Sequence, residues 1–155
     1  MLVTPSSPPS APVEQAEPLP AEPPCHNGGA RDQPLVSIII PAFNEGAMLP
    51  STLAKVCRYM LQLETQYRWE VVVVNDGSTD HTAQVAEDFA AGRQEIRVVH
   101  HPRNRGLGHA LRTGFQNSLG RYVVVLDCDL SYAPEHIGQL LDRIQHSHAT
   151  IVVAS

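Results

Sequence analysis

The sequence predicts one α/β domain built on an open, mainly parallel β-sheet with helices on both faces. Two observations support this fold class. Short Val- and Ile-rich runs recur after residue 34 without polar alternation, as in strands that are buried on both sides. Between these runs lie segments whose apolar residues are three or four positions apart, as in amphipathic helices. Regular alternation of the two patterns is typical of a sheet covered by helices.

The predicted elements follow one another along the chain. Strand-like runs occur at 36–40, 70–74, 96–100, 122–126 and 150–154. The helical segments are 49–63, a shorter stripe at 85–90 that stops at Gly92, 107–119, and 134–146. Pro50 is compatible with the first turn of the first helix, where its missing N–H is not needed.

The first 33 residues differ from the rest of the chain and are predicted to form a disordered, Pro-rich tail. Nine of the 13 prolines lie within the first 34 positions, and no hydrophobic periodicity occurs there. Such a segment buries too little apolar surface to offset the entropy that it loses on ordering. The predicted domain therefore covers residues 34–155, which is enough chain for a substantial core.

Composition narrows the class of partner. The net charge of −5 and the lack of a basic stripe argue against nucleic acid.

No apolar run approaches the ~20 residues that cross a bilayer, and the N-terminus lacks the pattern of a secretory signal. The three cysteines fit no zinc or redox spacing, which favours a reducing, cytoplasmic setting. The protein could still work at the cytoplasmic face of a membrane.

Polar and charged residues follow each of the first four predicted strands. Parallel strands end at the same edge of a sheet, and ligands of such sheets bind beyond the carboxyl ends of the strands. The four segments are 41–45 (PAFNE), 75–80 (NDGSTD), 101–108 (HPRNRGLG) and 127–129 (DCD). Each segment alone is compatible with a surface turn, but acidic residues at several strand ends together favour one shared site.

Asp127 and Asp129 are the strongest candidates for metal ligands. In an extended stretch, residues i and i+2 point the same way, so both carboxylates could face one ligand. Like charges this close repel unless a cation or a proton lies between them. Oxygen ligation suits Mg²⁺ or Mn²⁺, which would also bind phosphate oxygens. Cys128 is expected to point away from the ligand and to pack in the core.

Other nucleotide and phosphate sites fit the sequence less well. The turn after the first strand lacks the Gly-x-Gly-x-x-Gly pattern of dinucleotide-binding folds, and no Gly-Lys-Ser/Thr phosphate loop occurs. A phosphatase of the haloacid dehalogenase type remains an alternative, with Asp127 as nucleophile and Asp129 as acid/base. Such enzymes usually carry this motif on their first strand, whereas three predicted strands precede it here.

Four segments, in this order and spacing, resemble glycosyltransferase family 2. They are SIIIPAFNE, VVVVNDGSTDHT, NRGLGHALRTGF and YVVVLDCDLSYAPEHI. Within the family, the last two segments are most similar to the polyprenyl-phosphate, or dolichol-phosphate-type, mannosyl- and glucosyltransferases. The resemblance implies a GT-A fold that binds a nucleoside-diphosphate sugar, and it extends from Pro34 to Ser155.

The resemblance also implies roles on the nucleoside side of the site. Pro41, Asn44 and Glu45 would border the nucleoside. Asp76 would hydrogen-bond the base.

Further implied roles concern the sugar diphosphate. Gly106 and Gly108 would let the backbone pass close to the nucleotide, and Arg105 would contact a phosphate. Asp127 and Asp129 would approach the ribose and the diphosphate-bound metal, and they are the residues expected to carry catalysis. The implied reaction is an inverting transfer of a hexose.

The acceptor is expected to be a polyprenyl phosphate at a membrane surface. A phosphate nucleophile is already ionised near neutral pH, so such a site needs no strong general base. The family has a further stretch, about as long again, that carries the acceptor side. The sequence is therefore expected to be an N-terminal fragment, and a catalytically inactive nucleotide-binding module is the alternative function.

Overall fold

A computed structural model describes residues 33–147 and 149–153, and within them it contains four strands and four helices. The strands are β1 (Leu35–Ala42), β2 (Arg68–Asn75), β3 (Ile96–His100) and β4 (Tyr122–Val125). The helices are α1 (Leu49–Gln62), α2 (Thr82–Ala90), α3 (Leu107–Asn117) and α4 (Glu135–Gln145). These eight elements confirm the predicted ones, with ends that shift by up to three residues.

The four strands form a parallel sheet in the order β3-β2-β1-β4. The chain moves outward from β1 to β3 and then crosses back to place β4 on the other side of β1. This reversal is the topological switch point where open α/β sheets bind ligands. The predicted fold class, an open parallel sheet with helices on both faces, is thus confirmed.

The sheet is buried on both faces because its strands carry apolar residues at nearly every position. Val36, Ile38 and Ile40 of β1 pack in one cluster with residues of α1, α2 and α4. Ile39, which points to the opposite face, packs in a second cluster with residues of α3. Three helices therefore cover one face of the sheet and α3 covers the other.

The predicted fifth strand, 150–154, is not formed over the described residues. Ile151 makes an isolated bridge, and its neighbours to residue 153 have no regular structure. Ile151 and Val153 are exposed, so their apolar side chains have no surface to pack against. A β-propensity alone does not make a strand, because a strand needs a paired neighbour and a covered face. Ala154 lies outside the described residues.

The predicted tail, 1–33, falls outside the described residues except for Gln33. The side chain of Gln33 donates a hydrogen bond to the carbonyl oxygen of Thr65, and the backbone carbonyl of Gln33 accepts one from Arg68 Nε. In the part of the chain that the structure describes, none of the helices has both the length and the apolar character that a bilayer crossing requires.

A buried polar network joins β1, β2 and the turn after α3. Glu70 of β2 accepts hydrogen bonds from the Ser37 hydroxyl at 2.6 Å and from the Leu119 amide at 2.7 Å. The Gly120 amide in turn donates to Ser37 Oγ at 2.8 Å. Arg97 lies 3.8 Å from Glu70 and donates to the Asn117 carbonyl. The C-terminal end of α3 is therefore tied to the sheet by one carboxylate.

Replacing Glu70 tests this network. In Glu70→Leu, the Leu119 amide and the Ser37 hydroxyl lose their acceptor, so we expect the free energy of unfolding to fall by about 3 kcal/mol. Glu70→Gln keeps an acceptor oxygen, so its free energy of unfolding should fall much less than that of Glu70→Leu. Urea unfolding of both variants measures the difference, and equal losses would show that the hydrogen bonds do not matter.

Gly114 lets α3 approach the sheet closely. A Cβ atom there would lie 2.4 Å from Ile39 Cγ2, so Gly114→Ala should lower the free energy of unfolding by about 1–2 kcal/mol. Gly108 of the same helix is the matched control, because a Cβ there meets nothing within 4 Å. Gly108→Ala should be neutral or stabilise by up to about 1 kcal/mol, since Ala is the better helix former. The prediction fails if the two variants unfold at the same urea concentration.

Candidate active site

A cavity of about 360 Å³ opens at the carboxyl ends of β1, β2 and β4, at the switch point of the sheet. Six of the residues singled out in the sequence line it: Pro41, Glu45, Asp76, Gly106, Asp127 and Asp129. Asn44, Arg105 and Gly108 are not among its lining residues. The sheet thus brings together residues that lie up to 88 positions apart, from Pro41 to Asp129.

Asp76, directly after β2, is the most buried acid of the cavity. Its Oδ1 lies 2.6 Å from Nδ1 of His101 and 3.0 Å from the Arg105 amide. Its Oδ2 accepts a hydrogen bond from the Gly106 amide at 2.7 Å. The carboxylate therefore holds the loop between β3 and α3 against the end of β2.

The pKa of Asp76 lies below the ordinary value for an aspartic acid. Burial by itself raises this pKa, because it disfavours the charged form. The hydrogen bonds from His101 and from the amides of Arg105 and Gly106 favour the carboxylate and outweigh the burial. Asp76 is consequently ionised at neutral pH despite its low exposure.

The turn after β1 is joined to the turn after β2 by side chains. The backbone N–H of Asn44 donates to the Ser78 hydroxyl at 2.9 Å. The side-chain oxygen of Asn44, Oδ1, accepts from the backbone N–H of Thr79 at 2.8 Å. Asn44 has a positive φ of 56°, a conformation that Asn tolerates better than most residues. The Glu45 amide donates to Thr82 Oγ1 at 2.8 Å. Asn44 thus shapes the wall beside the cavity.

Asp80 reinforces the same pair of turns. It accepts hydrogen bonds from the amide and hydroxyl of Thr82, the first residue of α2, and from the Gly46 amide. The bonds from Thr82, followed by that from Gly46, lower the pKa of Asp80. The bond to the Thr82 amide satisfies one of the free N–H groups at the start of α2.

The segment from Asp127 forms a turn, whereas an extended stretch was expected. Strand β4 ends at Val125, and the Leu130 amide donates to the Asp127 carbonyl oxygen at 3.1 Å. Leu130 has a φ of 52°, which closes the turn. The two carboxylates still reach one cavity because the turn, rather than strand alternation, directs them there.

Ser131 orients the second of these acids. Its amide and its hydroxyl both donate to Asp129, at 2.9 and 2.8 Å from Oδ1. The bond from the amide, and then that from the hydroxyl, lowers the pKa of Asp129. Both acids are exposed, so solvent and a ligand can reach them.

Cys128 is buried between the two acids, as expected for a core residue. Burial, together with the nearby charges of Glu45 and Asp129, raises the pKa of the thiol to about 11, although Thr52 opposes the shift. The Thr52 hydroxyl donates to the Cys128 carbonyl at 2.5 Å and so ties the turn to α1. Cys128 is therefore a neutral thiol near pH 7.

The loop before α3 carries the predicted glycines. Gly106 has a φ of 86°, so a side chain there would strain the backbone. Gly108 has no such requirement, because its φ is ordinary and a Cβ would meet nothing within 4 Å. Arg105 contributes its amide to Asp76, and its side chain is exposed.

The carboxylates of Asp127 and Asp129, on the turn after β4, are suited to a hard divalent cation. Over the described residues, no cluster of three or more His, Cys, Asp or Glu side chains is placed to hold a metal ion. Two exposed carboxylates on one cavity match Mg²⁺ or Mn²⁺, which keep several waters and bind substrate phosphates. Asp127 and Asp129 are the residues that would hold such an ion.

His101 contacts the lining residue Asp76 and was not singled out in the sequence. The register of β2 and β3 pairs Asn75 with His100, so the next residues, Asp76 and His101, are neighbours. Register arithmetic on two consecutive parallel strands could have found this pair. Nothing in the local sequence around His101 indicates it, because the partner lies 25 positions away.

Asp76 should make stability depend on pH. Its folded-state pKa is lowered, so its contribution is present above its ordinary pKa of about 3.8 and is lost as the pH falls through the folded value. We expect Asp76→Asn to lower the free energy of unfolding by about 2 kcal/mol at pH 7. The difference from wild type should shrink below about pH 4.

The exposed Asp142 offers a control for this measurement, because Asp142→Asn should change little at either pH. Urea unfolding between pH 2.5 and 7, over the range set by ordinary carboxyl pKa values, gives the comparison. A pH-independent difference between wild type and Asp76→Asn would contradict the role of the ionised carboxylate.

Solved glycosyltransferases share this fold. A mannosyltransferase from Pyrobaculum calidifontis, in complex with GDP-Man and Mn²⁺, superposes with a TM-score of 0.59 and 26% identity. The match covers 74% of this chain and 34% of that one. Glucosyl-3-phosphoglycerate synthase from Mycobacterium tuberculosis, with Mn²⁺, UDP and glucosyl-3-phosphoglycerate, has a TM-score of 0.59, 25% identity and coverage of 74% and 41%.

Curated relatives are similar in sequence over the same region. A dolichyl-phosphate beta-glucosyltransferase of Trichomonas vaginalis is 34% identical over 132 residues, which cover 81% of this chain and 40% of that protein. An undecaprenyl-phosphate 4-deoxy-4-formamido-L-arabinose transferase of Pseudomonas fluorescens is 39% identical over 110 residues, or 70% and 31% of the two chains. The chain thus spans about a third of the length of such relatives.

Residues 37–155 match the protein-family model described as glycosyl transferase family 2. The match includes all four strand-end segments and leaves no support for the phosphatase alternative. With its parallel sheet, its switch-point cavity and its paired acids, the chain belongs to glycosyltransferase family 2.

Proposed function

We propose that this chain forms the donor site of a metal-dependent, inverting glycosyltransferase that transfers a hexose from a nucleoside diphosphate to a polyprenyl phosphate. The observation that carries the proposal is the cavity at the switch point. There, backbone and carboxylate groups from three strand ends surround a space of about 360 Å³. The corresponding location would be the cytoplasmic face of a membrane.

The nucleoside would lie between the turn after β1 and Asp76. Pro41 and Glu45 line this part of the cavity, and Asn44 supports it from behind through its bonds to the turn after β2. Asp76 offers a carboxylate to the N–H groups of a base. Gly106 adds no side-chain atoms to the opposite wall, which allows close approach of a nucleotide at that point.

The sugar diphosphate would lie toward Asp127 and Asp129. A divalent cation bound there would supply Lewis-acid stabilisation of the leaving diphosphate. Ser131 holds Asp129 in one orientation, and Thr52 holds the turn through the Cys128 carbonyl, so these acids need little rearrangement to bind. The exposed Arg105 side chain would turn toward a phosphate, and Gly108 would let the backbone pass close to the nucleotide there.

The acceptor class is inferred from the relatives and from chemistry. The two curated relatives described above are named for transfer to dolichyl and undecaprenyl phosphate, and the solved neighbours contain GDP-Man or UDP with Mn²⁺. A lipid phosphate is ionised at neutral pH and attacks without a strong general base. This agrees with a cavity whose lining, over the described residues, has four carboxylic acids and no histidine.

The donor site can be tested by calorimetry with UDP, GDP and TDP sugars in the presence of Mn²⁺. Asp129→Asn should weaken binding at least about tenfold, as the loss of a metal-ligand contact does. The exposed helix residue Asp88 is the matched control, because Asp88→Asn removes one charge away from the cavity. Binding of wild type should also weaken as the pH falls below about 4, because the pKa of Asp129 lies below the ordinary value of 3.8 and its charge is lost there.

Two results would contradict the proposal. One is that no nucleotide sugar binds to the wild-type chain with Mn²⁺. The other is that Asp127→Asn and Asp129→Asn bind as tightly as Asp88→Asn. A turnover assay with a polyprenyl phosphate then separates a complete transferase from the alternative, a catalytically inactive nucleotide-binding module.

A further inference from the structure

We propose that His101 is a positioning residue of the nucleotide cavity, which sets the orientation of the Asp76 carboxylate and leaves one of its oxygens for the ligand. The inference rests on the proposed nucleotide site and deepens it. It names a residue that lies outside the cavity lining and acts through Asp76.

His101 is held at both ring nitrogens. Its Nδ1 lies 2.6 Å from Asp76 Oδ1, and its Nε2 lies 2.8 Å from Thr113 Oγ1 on α3. The residue is 7% exposed, so water does not compete for these contacts. The imidazole therefore forms a rigid link between α3 and the end of β2.

The partners determine the direction of both hydrogen bonds. An ionised carboxylate can only accept, so Nδ1 carries the hydrogen and donates to Asp76. In the neutral ring Nε2 is then an acceptor, and the Thr113 hydroxyl donates to it. The Thr113 hydroxyl can donate or accept, so it is compatible with the tautomer that Asp76 requires.

Counting acceptor positions shows what His101 does for the cavity. Asp76 Oδ1 already accepts from His101 and from the Arg105 amide, which fills its two lone pairs. Oδ2 accepts from the Gly106 amide at 2.7 Å and shares the Arg105 amide with Oδ1 through a longer hydrogen bond of 3.2 Å, so its second position is the more weakly occupied one. A donor on the nucleotide would therefore meet Oδ2, and His101 decides which oxygen that is.

The neighbouring His100 shows that this arrangement is specific to one histidine. His100 bonds to Asn75 and to Glu87, and its side chain is 38% exposed. Neither of these partners lines the cavity. Only His101 of this pair contacts a lining residue through its side chain.

Amide hydrogen exchange, measured by NMR without any nucleotide, tests the positioning role. In His101→Leu, Asp76 loses a donor and can rotate, so the Arg105 and Gly106 amides should exchange about 10- to 100-fold faster. The backbone amides of β1 should exchange at the same rates as in wild type. His101→Asn is the conservative rescue, because its Nδ2 stands at the same number of bonds from the backbone as Nδ1, and it should stay close to wild type.

Two further variants keep the test decisive. Thr113→Val removes the far hydrogen bond without a change in side-chain size and should raise the same two exchange rates by about threefold. It also replaces His101→Leu if that variant does not fold. His109→Leu is the matched control, because His109 is an exposed residue of α3 outside the cavity lining.

UDP and GDP affinities with Mn²⁺ complete the experiment. We expect His101→Leu to bind the preferred nucleotide about tenfold more weakly, with His101→Asn and His109→Leu near wild type. The proposal is overturned if the Arg105 and Gly106 amides exchange no faster in His101→Leu than in wild type, or if His101→Asn speeds their exchange as much as His101→Leu does. It is also overturned if a variant whose amides exchange faster binds the nucleotide as tightly as wild type. If the amides respond but wild type binds neither nucleotide, Asp76 positioning stands and the proposed function falls.

Discussion

A buried carboxylate is stable only when hydrogen-bond donors surround it, and β2 carries one such group near its start and a second just past its end. Glu70 takes its donors from Ser37 and from the turn that follows α3. Asp76 takes its donors from His101 and from the loop that precedes α3. The two acids thereby hold both ends of α3, while Gly114 lets the middle of the helix rest against Ile39. The position of the loop that closes the cavity depends on this arrangement.

The cavity lies where the order of strand addition reverses, between the parallel strands β1 and β4. Because β1 lies at the centre of the switch, the turn that follows it faces Asp76 on one side and the acidic turn after β4 on the other. Each wall is built by local hydrogen bonds: Asn44 and Asp80 shape one, and Ser131 and Thr52 shape another. The side chains that would meet a nucleotide are in this way oriented before any ligand arrives, which reduces the entropy cost of binding.

The acids of the cavity have different environments and so suit different tasks. Asp76 is buried and fully engaged on one oxygen, which fits a fixed acceptor for a base. Asp127 and Asp129 are exposed on a turn, which fits ligands of a hydrated cation that also binds phosphate. The lowered pKa values of Asp76 and Asp129 have the same origin, namely donors that favour the charged form over the neutral one.

The sequence by itself determined the order of strands and helices, the parallel sheet and six of the residues that line the cavity, because hydrophobic period and strand-end chemistry are local signals. It failed at 150–154, where no regular strand forms over the described residues, and it took the Asp127 segment for an extended one when a turn forms. Only the tertiary structure decided that Asn44 supports the wall instead of lining it, and that His101 and Thr113 hold Asp76. These contacts join positions 12 to 35 residues apart through strand register and helix packing, and no local pattern encodes such distances.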